Sequence, residues 1–160
     1  PVRGKALIQK LITEAKVFAF AVVSRTPEHD GVYVRNLSNG SKATLLSGRG
    51  DYNQIAIDRA GSQVAFITNR DEFGQDDARY TLFVASARDM TARPAVTSAQ
   101  VGGEMRIAET ANVGFTRAGT AVTFGVASQL QDTLPADSLR DKAVVHSTIN
   151  RRGSKDSQLR

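Results

Sequence analysis

The chain has 160 residues, a net charge of +5, 41% hydrophobic residues, no cysteine and no tryptophan. That length is enough for one domain with a real core, while the missing cysteines exclude a disulfide framework or thiolate metal site and leave the redox compartment open. The longest apolar run, Val17 to Val23, is too short to span a bilayer, and no stretch has the charged, apolar and small-residue order of a signal peptide.

Residues Arg3 to Ala15 place Leu7 and Leu11, then Ile8, Ile12 and Ala15, at spacings of three and four. This predicts a short amphipathic helix, making residues 1–16 a helical lead-in whose Lys5 and Lys10 face water. Val17 to Val23 is apolar on both faces, as in a strand covered from both sides. Turn residues Thr26 to Gly31 lead into the alternating strand Val32 to Arg35, and the Asn39-Gly40 pair marks a reversal into Ala43 to Leu46. Strands then follow at Gln54 to Asp58, Gln63 to Thr68 and Tyr80 to Ser86, with a fourth near Ala95 to Ser98. Ala99 to Thr110 reads as a connector, and Val113 to Phe115 with Val122 to Val126 as another strand pair. Ser128 to Lys142 reads as a long insertion, Ala143 to Val145 as a third strand, and residues 146–160 as a polar disordered tail.

The phrase Asp58-Arg59-Ala60-Gly61-Ser62-Gln63-Val64-Ala65-Phe66-Ile67 returns as Thr116-Arg117-Ala118-Gly119-Thr120-Ala121-Val122-Thr123-Phe124-Gly125. Each copy has an apolar strand, a Gly-containing turn and a second apolar strand, so a β-hairpin is repeated along the chain. Such repetition points to an all-β fold, a partial β-propeller of antiparallel four-stranded meanders. At roughly 40–45 residues per blade the chain holds material for about three, near 17–47, 53–98 and 112–145. Three blades do not close a ring of four to eight, so the chain is expected to be a segment of a larger protein, with open edges that favour self-association.

Gly31-Val32-Tyr33-Val34-Arg35-Asn36-Leu37-Ser38-Asn39-Gly40, followed by Leu45-Leu46-Ser47-Gly48, Ile57-Asp58-Arg59-Ala60-Gly61 and Val64 to Arg70, resembles the repeat of TolB-type propellers. Ser24 to Arg35, Val113 to Gly119 and Leu134 to Leu139 together are similar to the N-terminal propeller of bacterial prolyl oligopeptidase family serine peptidases, related to the dipeptidyl peptidase IV-like repeats. The resemblance covers residues 17 to 145. It implies a non-catalytic propeller that gates or binds peptide substrate for a C-terminal α/β-hydrolase domain of the parent protein, in a periplasmic or secreted setting. The alternative is a TolB-type protein-binding module unconnected to an enzyme. Two features depart from the pattern. Ala60 and Ala118 stand where the family more often has an acidic turn residue, and the sequence after Val145 turns polar instead of aromatic.

The resembled family carries its nucleophile on a Gly-x-Ser-x-Gly elbow, which this sequence lacks. Its two histidines, His29 and His146, have no serine partner in a recognisable setting, so no catalytic residue is assigned. Nor is any cofactor-binding or metal residue, and no cofactor is expected. Asp71, Glu72, Asp76 and Asp77 crowd one loop, but without the alternating ligand spacing of a calcium hand they read as a solvated loop. The Arg49-Gly50-Asp51 string is read as a chance turn, and Gly102-Gly103 as a bend without the following helix a phosphate cradle needs. The basic excess sits at the two ends, in Arg3, Lys5, Lys10 and Lys16 and in Arg151, Arg152, Lys155 and Arg160. A nucleic-acid partner would call for a basic stripe interleaved with aromatics, so none is expected.

Overall fold

A strand that is apolar on both faces has to be paired along its edges and covered on each side, and Val17–Val23 sets the arrangement of the first half of the chain. A computed structural model of the chain describes residues 5–12, 16–86 and 89–128, the first of these by backbone alone. Strands β1 (Lys5–Ile12), β2 (Val17–Val23), β3 (Gly31–Asn36) and β4 (Lys42–Ser47) form one antiparallel sheet in chain order. Strands β5 (Tyr52–Ile57), β6 (Gln63–Thr68), β7 (Thr81–Ser86) and β8 (Ala92–Thr97) form a second in the same way. Then come a single helical turn α1 (Ser98–Val101) and the short strands β9 (Met105–Ile107), β10 (Gly114–Phe115), β11 (Val122–Thr123) and β12 (Val126–Ser128). β10 pairs with β11 and β9 with β12. The fold is all-β and antiparallel, and the described residues lie in one compact unit that ends at Ser128.

The predicted N-terminal helix is corrected to a strand. β1 pairs along β2, with a bulge between Ile8 and Lys10. The extra residue, Gln9, breaks the two-residue alternation and leaves apolar positions at helix-like spacings. The free edge of β2 then settles the choice, because its backbone groups need partners. The 17–47 unit therefore gains a fourth strand and starts at Lys5. The connector at 99–110 is also corrected: it contains the end of α1 and the whole of β9. The expected strand Val122 to Val126 breaks at Gly125, where a Cβ would stand 2.1 Å from Ala111 Cβ. Beyond this close approach, β12 leaves β11 and joins β9. The predicted insertion after Ser128, the strand 143–145 and the tail 146–160 lie outside the described residues.

The two four-stranded sheets repeat one another residue by residue. Ala19 pairs with Val34 and Phe20 with Tyr33, as Ala65 pairs with Val84 and Phe66 with Phe83. A bulge falls between Val32 and Tyr33 against β4, and at the matching place between Leu82 and Phe83 against β8. The first strands of both sheets are bulged as well.

The sheets pack face to face. Ala19, Ala21, Val32 and Leu45 of the first sheet share a buried core with Val64, Phe66, Phe83 and Ala85 of the second. The rings of Phe66 and Phe83 lie 5.8 Å apart and nearly parallel, at 8°, and both are buried, at 0% and 2% exposure. On the opposite face of the second sheet, Ile67 and Leu82 close a smaller core with Ile107, against which Val113, Val122 and Phe124 pack. β5 lies against β1 and β2 on one side and against β10 on the other, so the first strands of successive sheets gather together.

Replacing Phe66 by Ala removes the centre of the inter-sheet core and should cost about 3–5 kcal/mol. Urea unfolding followed by circular dichroism measures it. A loss under about 1 kcal/mol, the scale of an exposed site, would contradict the packing described.

Candidate functional site

The echoed turns are built alike and touch one another. In the first, the Gly61 amide donates to the Asp58 carbonyl at 3.0 Å and the Asp58 amide to Gln63 at 3.1 Å; in the second, Gly119 donates to Thr116 at 2.8 Å and Thr116 to Ala121 at 2.9 Å. Gly61 and Gly119 both sit in the left-handed region, at φ 68° and 70°, which a side chain disfavours. The missing acidic residue at Ala60 is made good from within the strand end. Asp58 Oδ1 accepts the amides of Ser62 and Gln63 at 2.6 and 2.8 Å, and Oδ2 accepts the Ser62 hydroxyl at 2.8 Å. In the second turn Thr116 Oγ1 takes part of that role, accepting the Ala121 amide at 3.2 Å. The Gln63 side-chain amide then donates to the Gly119 carbonyl at 2.9 Å, tying one hairpin to the next. Sequence reading missed this link, although the repeat itself had placed both turns.

A cavity of about 280 Å³ opens between the first and second sheets. Its walls are apolar where Val17, Val34, Leu45, Val64 and Ala85 line it, and polar where Asn36, Asn39, Ser62 and Ser86 do. Asn36 and Asn39 spend their side-chain carbonyls on the amides of Ser38 and Ser41, at 2.8 and 3.0 Å, which shapes the β3–β4 turn. The site contains no acid–base pair. Its chemistry is that of a small amphipathic recess able to seat an apolar side chain.

A second group of polar residues joins the loops 24–30, 48–51 and 69–80. Asp30, 1% exposed, accepts the Ser24 amide through Oδ1 at 2.6 Å. The Tyr52 hydroxyl donates to the Gly48 carbonyl. Arg70 donates to the Ser47 carbonyl at 3.3 Å, and its guanidinium stands 5.5 Å from the Phe83 ring centroid. Gly50 makes room for that arrangement, because a Cβ there would meet Arg70 Cα at 2.9 Å. The Arg49-Gly50-Asp51 string is thus engaged internally. Arg49 lies over the Phe73 ring at 5.3 Å, and Asp51 bonds Asn69 through both backbone amide and carboxylate, at 2.8 and 3.0 Å.

The acidic loop turns its carboxylates to arginines. Asp71 pairs with Arg70 at 2.7 Å, Glu72 with Arg79 at 3.2 Å and Asp77 with Arg106 at 2.9 Å. Asp76 is exposed. Among the described residues no group of three His, Asp or Glu side chains is placed to hold a metal ion. Gly102 and Gly103 follow α1 instead of preceding a helix, at φ 82° and 60°. His29 is exposed and its carbonyl accepts the Tyr33 hydroxyl at 2.9 Å; His146 lies outside the described residues. Among the described residues no helix is long and apolar enough to cross a membrane.

No family model, curated protein or solved structure matches the chain.

Burial pushes the Tyr52 phenol up from 10.0 to about 12, with the nearby Arg70 charge pulling the other way and the Asp30 carboxylate adding to the rise. Burial, with Glu109 beside it, raises Tyr80 as well. A group whose folded pKa is raised stabilises the fold fully below its unfolded pKa, and that stability disappears as pH climbs through the folded value. Unfolding free energy should therefore fall between pH 10 and about 12, and Tyr52→Phe should flatten part of that fall. Urea titrations across this window with an unchanged slope in Tyr52→Phe would contradict the assignment.

Proposed function

We propose that this chain is a run of β-propeller blades from a protein of the prolyl oligopeptidase type, a non-catalytic segment that gates or binds peptide for a separate hydrolase domain. The observation that supports it is the directional stack. Equivalent four-stranded meanders follow one another face to face, with their first strands gathered and a recess opening between the sheets. Blades arranged around an axis have this form, since strands crowd near the axis and spread away from it.

In that setting the chain contributes shape and not bond making. The Asp58 bonds brace the first echoed turn and the Gln63–Gly119 bond ties it to the next hairpin, and the arginine-clasped loop keeps the strand connections folded back. A rigid wall of this kind admits extended peptides and excludes folded proteins, while the inter-sheet recess offers a seat for an apolar side chain. The peptidase parent rests on the sequence resemblance carried together by Ser24 to Arg35, Val113 to Gly119 and Leu134 to Leu139.

The gene from which the chain is expressed tests the reading. Downstream DNA should encode a Gly-x-Ser-x-Gly elbow followed by Asp and His within roughly a few hundred residues, the order of the α/β-hydrolase triad. The full product should cleave a chromogenic peptidyl-proline substrate, and lose that activity when the elbow serine is replaced by alanine. Further blades with no elbow would contradict the peptidase role and leave a TolB-type binding module.

A further inference from the structure

The face of the first sheet turned away from the second carries a continuous aromatic row. Phe18 and Phe20 stack at 5.2 Å, Phe20 and Tyr33 at 5.6 Å, and Lys42 Nζ stands 4.2 Å from the Tyr33 ring centroid. These rings are only half-buried. Among the described residues, the second sheet lies on the opposite face and the shorter strand pairs lie beyond it.

The register identifies what such a row is for. Phe20 and Tyr33 occupy the places that Phe66 and Phe83 hold in the second sheet. There the aromatic pair is buried against the preceding sheet, in the core formed by Ala19, Ala21 and Val32. The same relation recurs one step on. Phe124, the counterpart of Phe66 in the echoed phrase, packs on the Ile67 and Leu82 face of its own predecessor. In both instances this aromatic position packs against the small or aliphatic face of the sheet before it, fully buried at Phe66 and partly buried at Phe124.

We propose that the Phe18–Phe20–Tyr33 face is a seat for a further antiparallel β-sheet of the same protein, one that presents small apolar side chains to Phe20 and Tyr33 and a carboxylate to Arg35 and Lys42. The charge requirement follows from one cross-strand pair at which the two sheets differ. Arg35 and Lys42 are cross-strand partners where the second sheet has Ala85 and Ala92. Like charges directly opposite repel, and Lys42 relieves this by turning over the aromatic rings. A second copy applied face to face would bring four cations together. A sheet bearing an acidic residue at that point removes the repulsion. The inference rests on the propeller reading and is independent of the peptidase parent.

Because the chain contains no cysteine, a single introduced thiol reports on each interface. Phe18→Cys probes the proposed seat. Val64→Cys, at the equivalent position in the second sheet and 5% exposed, probes the interface already described. Maleimide labelling is compared in the 160-residue chain and in the longer protein expressed from its own gene. In the chain the thiol at 18 should react about 100-fold faster than that at 64, and in the longer protein both should be slow, as expected for sites that react only through opening. Rapid reaction at 18 in both proteins, with 64 protected, overturns the seat while leaving the stack intact. Rapid reaction at 64 overturns the stack and the propeller reading with it. Where 18 is protected, a thiol-anchored benzophenone at that position should cross-link within the molecule to a strand of small residues; cross-links to a second copy or to a helical segment overturn the proposal.

Discussion

The packing of the Phe66–Phe83 pair against the small residues of the preceding sheet is the interaction on which the architecture depends. Two sheets approach closely only where one face is low enough to receive the rings of the other, and Ala19 and Ala21 supply that low face. The result is polarity. A sheet that offers rings on one side and small or aliphatic groups on the other can be stacked repeatedly, always in the same sense. A symmetric sheet would as readily pair with itself and stop.

The turns convert this stack into a fixed geometry. Asp58 collects three donors at the end of β5, and Gln63 reaches across to the next hairpin. The loops at 48–51 and 69–80 are held by Arg70 and the Asp51–Asn69 pair. Of these groups Asp58 and Asn69 are buried, and both are satisfied, which matters because an unpartnered one would cost about 1–3 kcal/mol. Among the described residues no buried side-chain nitrogen or oxygen lacks a partner.

Much of this was readable from the residues. The strands from β2 to β7 follow from apolar runs rich in branched and aromatic residues, and Gly61 and Gly119 located both echoed turns because a positive φ there excludes most other residues. β1 was not legible, since a bulge at Gln9 scrambles its period and only the unpaired edge of β2 explains why it is a strand. β9 and the break at Gly125 depend on tertiary approach, the latter on Ala111. The equivalence of Phe20 with Phe66 was hidden because other residues on the same sheet face differ, Phe18 replacing Val64 and Arg35 and Lys42 replacing Ala85 and Ala92; only the pairing register exposes it. The apparent loss of a brace at Ala60 misled in the same way, since Asp58 does the bracing two positions earlier.

The most direct measurement is a methyl-to-ring nuclear Overhauser experiment on the isotopically labelled chain. Cross-peaks from the Phe66 and Phe83 rings to the methyls of Ala19, Ala21 or Val32 are what the directional stack requires. Their absence, with those rings instead close only to residues of their own sheet, would show that the sheets do not pack on one another and would contradict the account.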